Sequence, residues 1–101
     1  MANVIINLFG RRWKYLRPRR CVLKGEDCDG ICDWHKHELR VRRDLKGLRE
    51  MDTDLHELRH ASSDFLDEIF VDKESSVIAA AMWKLGYRKL TKQQRKTLGI
   101  D

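Results

Sequence analysis

The sequence predicts an α+β fold: a small three-stranded antiparallel sheet packed on two helices, in the order β-β-β-α-α. Two observations carry this expectation. Through roughly residue 42 the apolar residues cluster as β-branched and aromatic runs or alternate with polar ones. From Leu45 onward they recur at intervals of three and four. At 101 residues, 42% of them hydrophobic, the chain is expected to form one small domain with a modest core.

Val4-Ile5-Ile6-Asn7-Leu8-Phe9 reads as a first strand closed by Gly10. Arg12-Trp13-Lys14-Tyr15-Leu16 alternates as a second strand with one wet face, and Pro18 ends it or places it at an edge. Residues 24–36 hold Gly25, Asp27, Asp29, Gly30 and Asp33 and read as a loop. Glu38-Leu39-Arg40-Val41-Arg42 alternates again, as a third strand. Leu45, Leu48, Met51, Leu55 and Leu58 then form the apolar stripe of a first helix, which Ser62-Ser63-Asp64 breaks. A second helix is expected from about Asp67 to Leu85, with Val71, Ile78, Ala81, Met82 and Leu85 inward. Asp67 and Glu68 suit the positive end of its dipole, and Gly86 its C-cap. Residues 89–101 read as a frayed basic tail, which leaves 1–88 as the domain.

The net charge of +5 is unevenly spread. Residues 1–20 carry Arg11, Arg12, Lys14, Arg17, Arg19 and Arg20 without an acid, and the tail region carries Arg88, Lys89, Lys92, Arg95 and Lys96. Such segments suit nucleic acid or an acidic protein; the plainer reading is a solvated surface. No run of 18 apolar residues exists, so no membrane span is expected. The start of the chain does not read as a secretory leader, and three cysteines are an odd number. Free thiols in a reducing cytoplasm are therefore expected.

The chemistry concentrates at His56-Glu57-Leu58-Arg59-His60, an HExxH string. Histidines four apart lie on one helix face and can grip one Zn²⁺, with the adjacent glutamate as general base on water. By chance the string should occur in roughly one such chain in a hundred. His37-Glu38-Leu39-Arg40-Val41 repeats its first four letters but has Val41 where the second ligand would stand. A catalytic zinc needs a third protein ligand. On a helical wheel Glu74 falls among Val71, Ile78, Ala81 and Leu85, where a carboxylate is costly unless paired or metal-bound. Glu68 lies at the edge of that stripe, with Val71 and Ser75. Either acid has a plain alternative role, as a dipole-favoured surface residue or a lysine-paired one. Cys21, Cys28, Cys32, His35 and His37 form a second candidate zinc set, but their spacing fits structural sites poorly. Arg59, Tyr87, His35 and His37 are candidates to stabilise an oxyanion, and Trp13, Tyr15 and Trp34 for stacking on nucleic acid.

Residues from about Gly30 to Arg88 resemble the minimal HExxH zinc metallopeptidases common in bacteriophage and prophage genomes. The resemblance rests on Gly30-Ile31-Cys32-Asp33, the strand Leu39–Val41, Asp52-Thr53-Asp54-Leu55-His56-Glu57-Leu58-Arg59-His60-Ala61, Leu66-Asp67-Glu68 with Val71, and Met82-Trp83-Lys84-Leu85-Gly86-Tyr87-Arg88. Those proteins are similar to stripped-down gluzincins and, distantly, to SprT-type and ImmA-type proteases. Arg59 departs from them, standing where apolar residues are more usual. The resemblance implies a minimal zincin-like core, Cys32 packed under the strands, and zinc held by His56, His60 and Glu68, with Glu74 as the alternative third ligand. It implies Glu57 as the catalytic base of a peptide hydrolase acting on peptide or protein in the host cytoplasm. The rival expectation is a small basic phage protein that binds a host protein or nucleic acid, its HExxH serving as a zinc-stabilised scaffold.

Overall fold

Phe9 and Gly10 both adopt positive φ, 52° and 79°, as the two-residue turns best matched to strand twist require. Across this turn β1 (Val4–Leu8) pairs antiparallel with β2 (Arg11–Leu16). Lys24 and Gly25, at 52° and 82°, repeat the device and join β3 (Cys21–Leu23) to β4 (Glu26–Cys28) as a separate two-stranded sheet. β5 (Gly30–Asp33) and β6 (Glu38–Val41) then pair antiparallel. The computed structural model describes residues 4–63 and 67–100; the break expected at Asp64 and the matched Leu66 lie outside them.

The main sheet has four strands in the order β1-β2-β6-β5, and β6 runs parallel to β2. The expected three-stranded antiparallel sheet on two helices is thus corrected to a mixed four-stranded sheet, a two-stranded sheet and three helices among the described residues. The segment read as a loop holds two of the strands, β4 and β5, and follows directly on β3. Its glycines and aspartates sit at turns and edges: Gly25 in the hairpin turn, Gly30 against a helix, and Asp33 accepting from the Lys36 amide at 3.0 Å. The chain's long excursion from β2 returns it as β6 in the same direction, which makes that pair parallel.

α1 (Gly47–Ser62) packs on β5, β6 and α2 (Glu68–Lys84). Its entry is set by Arg17 at the end of β2. That guanidinium donates to the carbonyls of Val41, Arg42 and Leu45 at 3.0, 3.1 and 3.1 Å and pairs with Glu50. Trp13, Leu39 and Ala61 form one buried cluster of the core, with Ile6, Leu8, Tyr15, Cys32, Trp34 and Leu58 packed around them.

The second helix differs from expectation in the face it buries. Val71, Ser75 and Ala79 are inside, whereas Ile78, Ala81 and Leu85 are exposed and Met82 is half-buried. The small residues at four-residue spacing let α2 approach α1 closely, and this outweighs the larger side chains on the other side. The tail also departs from a frayed end. It carries α3 (Lys92–Thr97), opened by a Thr91–Gln94 capping box. Lys89 donates to the Tyr15 hydroxyl at 2.9 Å and to Asp54 at 3.1 Å. Among the described residues no helix is long and apolar enough to cross a membrane.

Candidate metal centre

α1 brings the HExxH residues to a cleft of about 670 Å³ between it, the β4–β5 segment and the start of α2. The buried residues of α1, Thr53, Glu57 and Ala61, recur every four positions and so share one face, which meets β5 at Gly30. That phase turns His56 and His60 toward the cleft, with ring centroids 4.8 Å apart. The C-terminal end of α1 is held by Trp34, whose indole N–H donates to the His60 carbonyl at 2.9 Å. Trp34 is itself set edge-on against the buried Trp13, at 5.0 Å.

Glu68 reaches the same point from the first turn of α2. Its two oxygens lie 2.8 Å from His56 Nε2 and 2.7 Å from His60 Nε2. One donor atom from each of the three residues falls within 4.8 Å of the other two. Asp67 fixes this turn, accepting from the Phe70 amide at 2.8 Å as the N-cap. Asp72, one turn along α2, stands 3.8 Å from His56 Nδ1.

Two imidazoles and a carboxylate are a donor set that catalytic zinc uses, with one coordination position left over. His60 Nε2 is buried and makes no hydrogen bond of proper geometry, although Glu68 Oε2 is close by. Tetrahedral zinc with bonds of about 2.0–2.1 Å holds its donors roughly 3.3 Å apart, slightly wider than the two Glu68–histidine distances. The Glu68 side chain, 71% exposed, is free to draw back by that amount. The residues therefore fit zinc.

Glu57 points into the cleft from the buried side of α1 and is only 7% exposed. Burial, reinforced by the Glu68 carboxylate, pushes its pKa up to about 8. Gly30 on β5 makes this position available. A Cβ there would lie 2.7 Å from Glu57 Oε2, 2.9 Å from its Cγ and 2.9 Å from Thr53 Cγ2.

The remaining candidates are not brought to the histidines. Glu74 pairs with Arg59 on the flank of the two helices, so each charge has its partner and neither lines the cleft. Tyr87 lines a different cavity, of about 340 Å³, with Trp83 and Arg88. His37 stacks on Trp13 at 4.8 Å, and neither it nor His35 lines the cleft. Cys21 and Cys28 face each other across β3 and β4, and all three cysteines are free. Among the described residues the Cys/His set does not converge on a metal-sized point. Gly30 and Asp72 were not read from the sequence as site residues. The signal for Gly30 was a glycine opening a short apolar-alternating run; Asp72, one turn after Glu68, gave none.

No family model matches this chain, and no curated protein or solved structure matches it.

Proposed function

We propose that this chain is a zinc-dependent metallopeptidase, with His56, His60 and Glu68 as ligands and Glu57 as general base. The observation that carries the proposal is the convergence of both histidine Nε2 atoms on one Glu68 carboxylate, beside a buried glutamate in the same cleft. Zinc held by His56, His60 and Glu68 would supply Lewis acidity toward a peptide carbonyl and would make water easier to deprotonate. Glu57 takes a proton from the attacking water and delivers it to the leaving amine. Burial holds its pKa at about 8, where it can donate to the leaving amine, and a cation at the ligands would favour the ionised form in which it is a base. Leu23, Ile31 and Thr53 give the cleft apolar wall against which a peptide can lie. The substrate class is peptide or protein, and the three free thiols fit a reducing cytoplasm.

The test is hydrolysis of a diverse peptide mixture by the zinc-loaded chain, read by mass spectrometry. New cleavage products should appear with wild type and fall at least about a hundredfold with Glu57→Gln, which keeps its zinc. Equal cleavage by both proteins would remove Glu57 from the mechanism. Absence of cleavage together with strongly salt-dependent DNA binding would favour the basic binding-protein reading.

A further inference from the structure

Trp13 and Trp34, read from the sequence as a stacking surface, are turned on each other. Trp13 is fully buried, and Trp34 stands edge-on to it at 5.0 Å. His37 stacks on Trp13 at 4.8 Å and meets Trp34 edge-on at 6.2 Å. The three rings therefore fix one another. The turn that carries Trp34 and His37 is tied as well. Asp33 accepts from the Lys36 amide at 3.0 Å, and the His37 carbonyl accepts from the Lys14 amide of β2 at 3.0 Å. Held in this way, Trp34 gives its indole N–H to the His60 carbonyl at 2.9 Å. A helix leaves its last four carbonyls without intrahelical partners. In α1 the Arg59 carbonyl accepts from the Ser63 amide and the Ser62 hydroxyl, both at 3.1 Å, and the His60 carbonyl accepts from Trp34. Helix ends fray. His60 stands in the last turn and His56 one turn deeper, so His60 is the histidine whose place depends on how that end is held.

We propose that Trp34 is a positioning residue of the metal site: its indole N–H pins the last turn of α1 and so presents His60 to zinc before the ion arrives. The inference rests on the zinc-site reading above. Two features carry it. The bond is made to the carbonyl of the ligand residue itself, not to a neighbour. The donor is also fixed from outside α1, by the Trp13 ring of β2 and the tied β5–β6 turn, so it holds its place when the helix end loosens. Packing works in the same direction, because Ala61 is buried in the cluster with Trp13 and Leu39. The strand side thus touches the HExxH segment twice, with Gly30 against Glu57 and Trp34 at His60. A donor set held in its bound arrangement loses less conformational freedom when the ion binds. Contacts that orient a metal ligand from outside the coordination shell are typically worth about tenfold or more in metal affinity.

The test is zinc affinity of the full chain, measured by competition against a chelator under conditions where the protein is folded. Two variants are compared with wild type. One carries benzothienylalanine in place of Trp34, which keeps the bicyclic ring and loses only the N–H; the other is Trp34→Phe. In both, the zinc dissociation constant should rise about tenfold. Hydrogen exchange of the metal-free protein should quicken at the amides of Ala61, Ser62 and Ser63 and stay as in wild type through the first turns of α1. Trp83→Phe, which removes an indole from the other cavity, should leave zinc affinity unchanged. Wild-type affinity in both Trp34 variants overturns the proposal, even where they are less stable to urea, because Trp34 then serves packing alone. Weakening in Trp34→Phe but not with benzothienylalanine overturns it too, since the ring and not the N–H would hold the turn. Wild-type protein that takes up no zinc overturns the metallopeptidase reading and this inference with it. Wild-type protein that binds zinc beside indifferent variants overturns this inference alone.

Discussion

Glu57 sits where a carboxylate is expensive, 7% exposed and pushed up to about 8 from its ordinary 4.5. In the metal-free protein the folded form keeps the proton up to about pH 8, while the unfolded chain releases it near 4.5. Between those values the folded state binds more protons, so stability falls as pH rises through this window and is level below it. The fall is on the order of a few kcal/mol. Urea titrations of metal-free protein at pH 5 and pH 8 should show it, and Glu57→Gln should abolish it. Gly30→Ala places a methyl 2.7 Å from Glu57 Oε2 and is expected to cost about 1–3 kcal/mol through overpacking. The same denaturation assay measures it, and a neutral result would mean that β5 and α1 are not in register as described. Cys32 gives a third check at this scale. Burial, with the Glu57 and Asp33 carboxylates, pushes its thiol up to about 12. Its thiolate fraction at neutral pH is then roughly a thousandth of that of a free cysteine, so in the folded protein alkylation should spare Cys32 until denaturant is added.

At the scale of elements, the site depends on how α2 begins. Asp67 caps the helix and thereby holds Glu68 in the turn that faces both histidines. Asp67→Ala is expected to lower stability by about 1 kcal/mol. It should also weaken zinc binding severalfold, because the third donor frays with the turn; competition against a zinc chelator would show both the loss and its rescue by Asp67→Asn. Much of this layer was legible beforehand. The alternation in Arg12–Leu16 and Glu38–Val41 marked two strands, and the spacing of Leu45 to Leu58 marked α1. What periodicity did not reveal was the strand content of residues 21–33. Strands of three and four residues are too short to establish a period, and the decisive clue was the Lys24-Gly25 turn rather than any apolar pattern. The face of α2 was hidden for another reason. Two apolar faces compete on that helix, and the choice between them rests on close approach of Ser75 and Ala79 to α1, a tertiary effect with no local signature.

For the whole molecule, the net charge stays +5, but several basic side chains are engaged by acids and are less free to meet a phosphate backbone. Arg20 pairs with Asp27, Arg40 with Glu38, Arg42 with Asp44 and Arg49 with Asp29, and Arg17 and Lys89 are tied to Glu50 and Asp54. Binding to nucleic acid should therefore be weak, lost by moderate salt, and unaffected by His60→Ala; filter binding across salt concentrations checks this. The candidate site was more legible than the fold around it. Helical geometry fixes His56, Glu57 and His60 from their spacing alone. Between the two acids, the resemblance implied Glu68 and the helical wheel allowed Glu74; that Arg59 engages Glu74 is something a wheel drawn for one helix does not contain.

The most direct measurement is the zinc content of the purified chain by elemental mass spectrometry, with His60→Ala and Glu68→Ala beside it. The account predicts about one zinc per chain in wild type, as for a three-ligand catalytic site. It predicts loss of zinc in His60→Ala and marked weakening in Glu68→Ala. Wild-type protein that stays free of zinc after zinc is supplied and the excess dialysed away would contradict it, as would a full complement retained by His60→Ala.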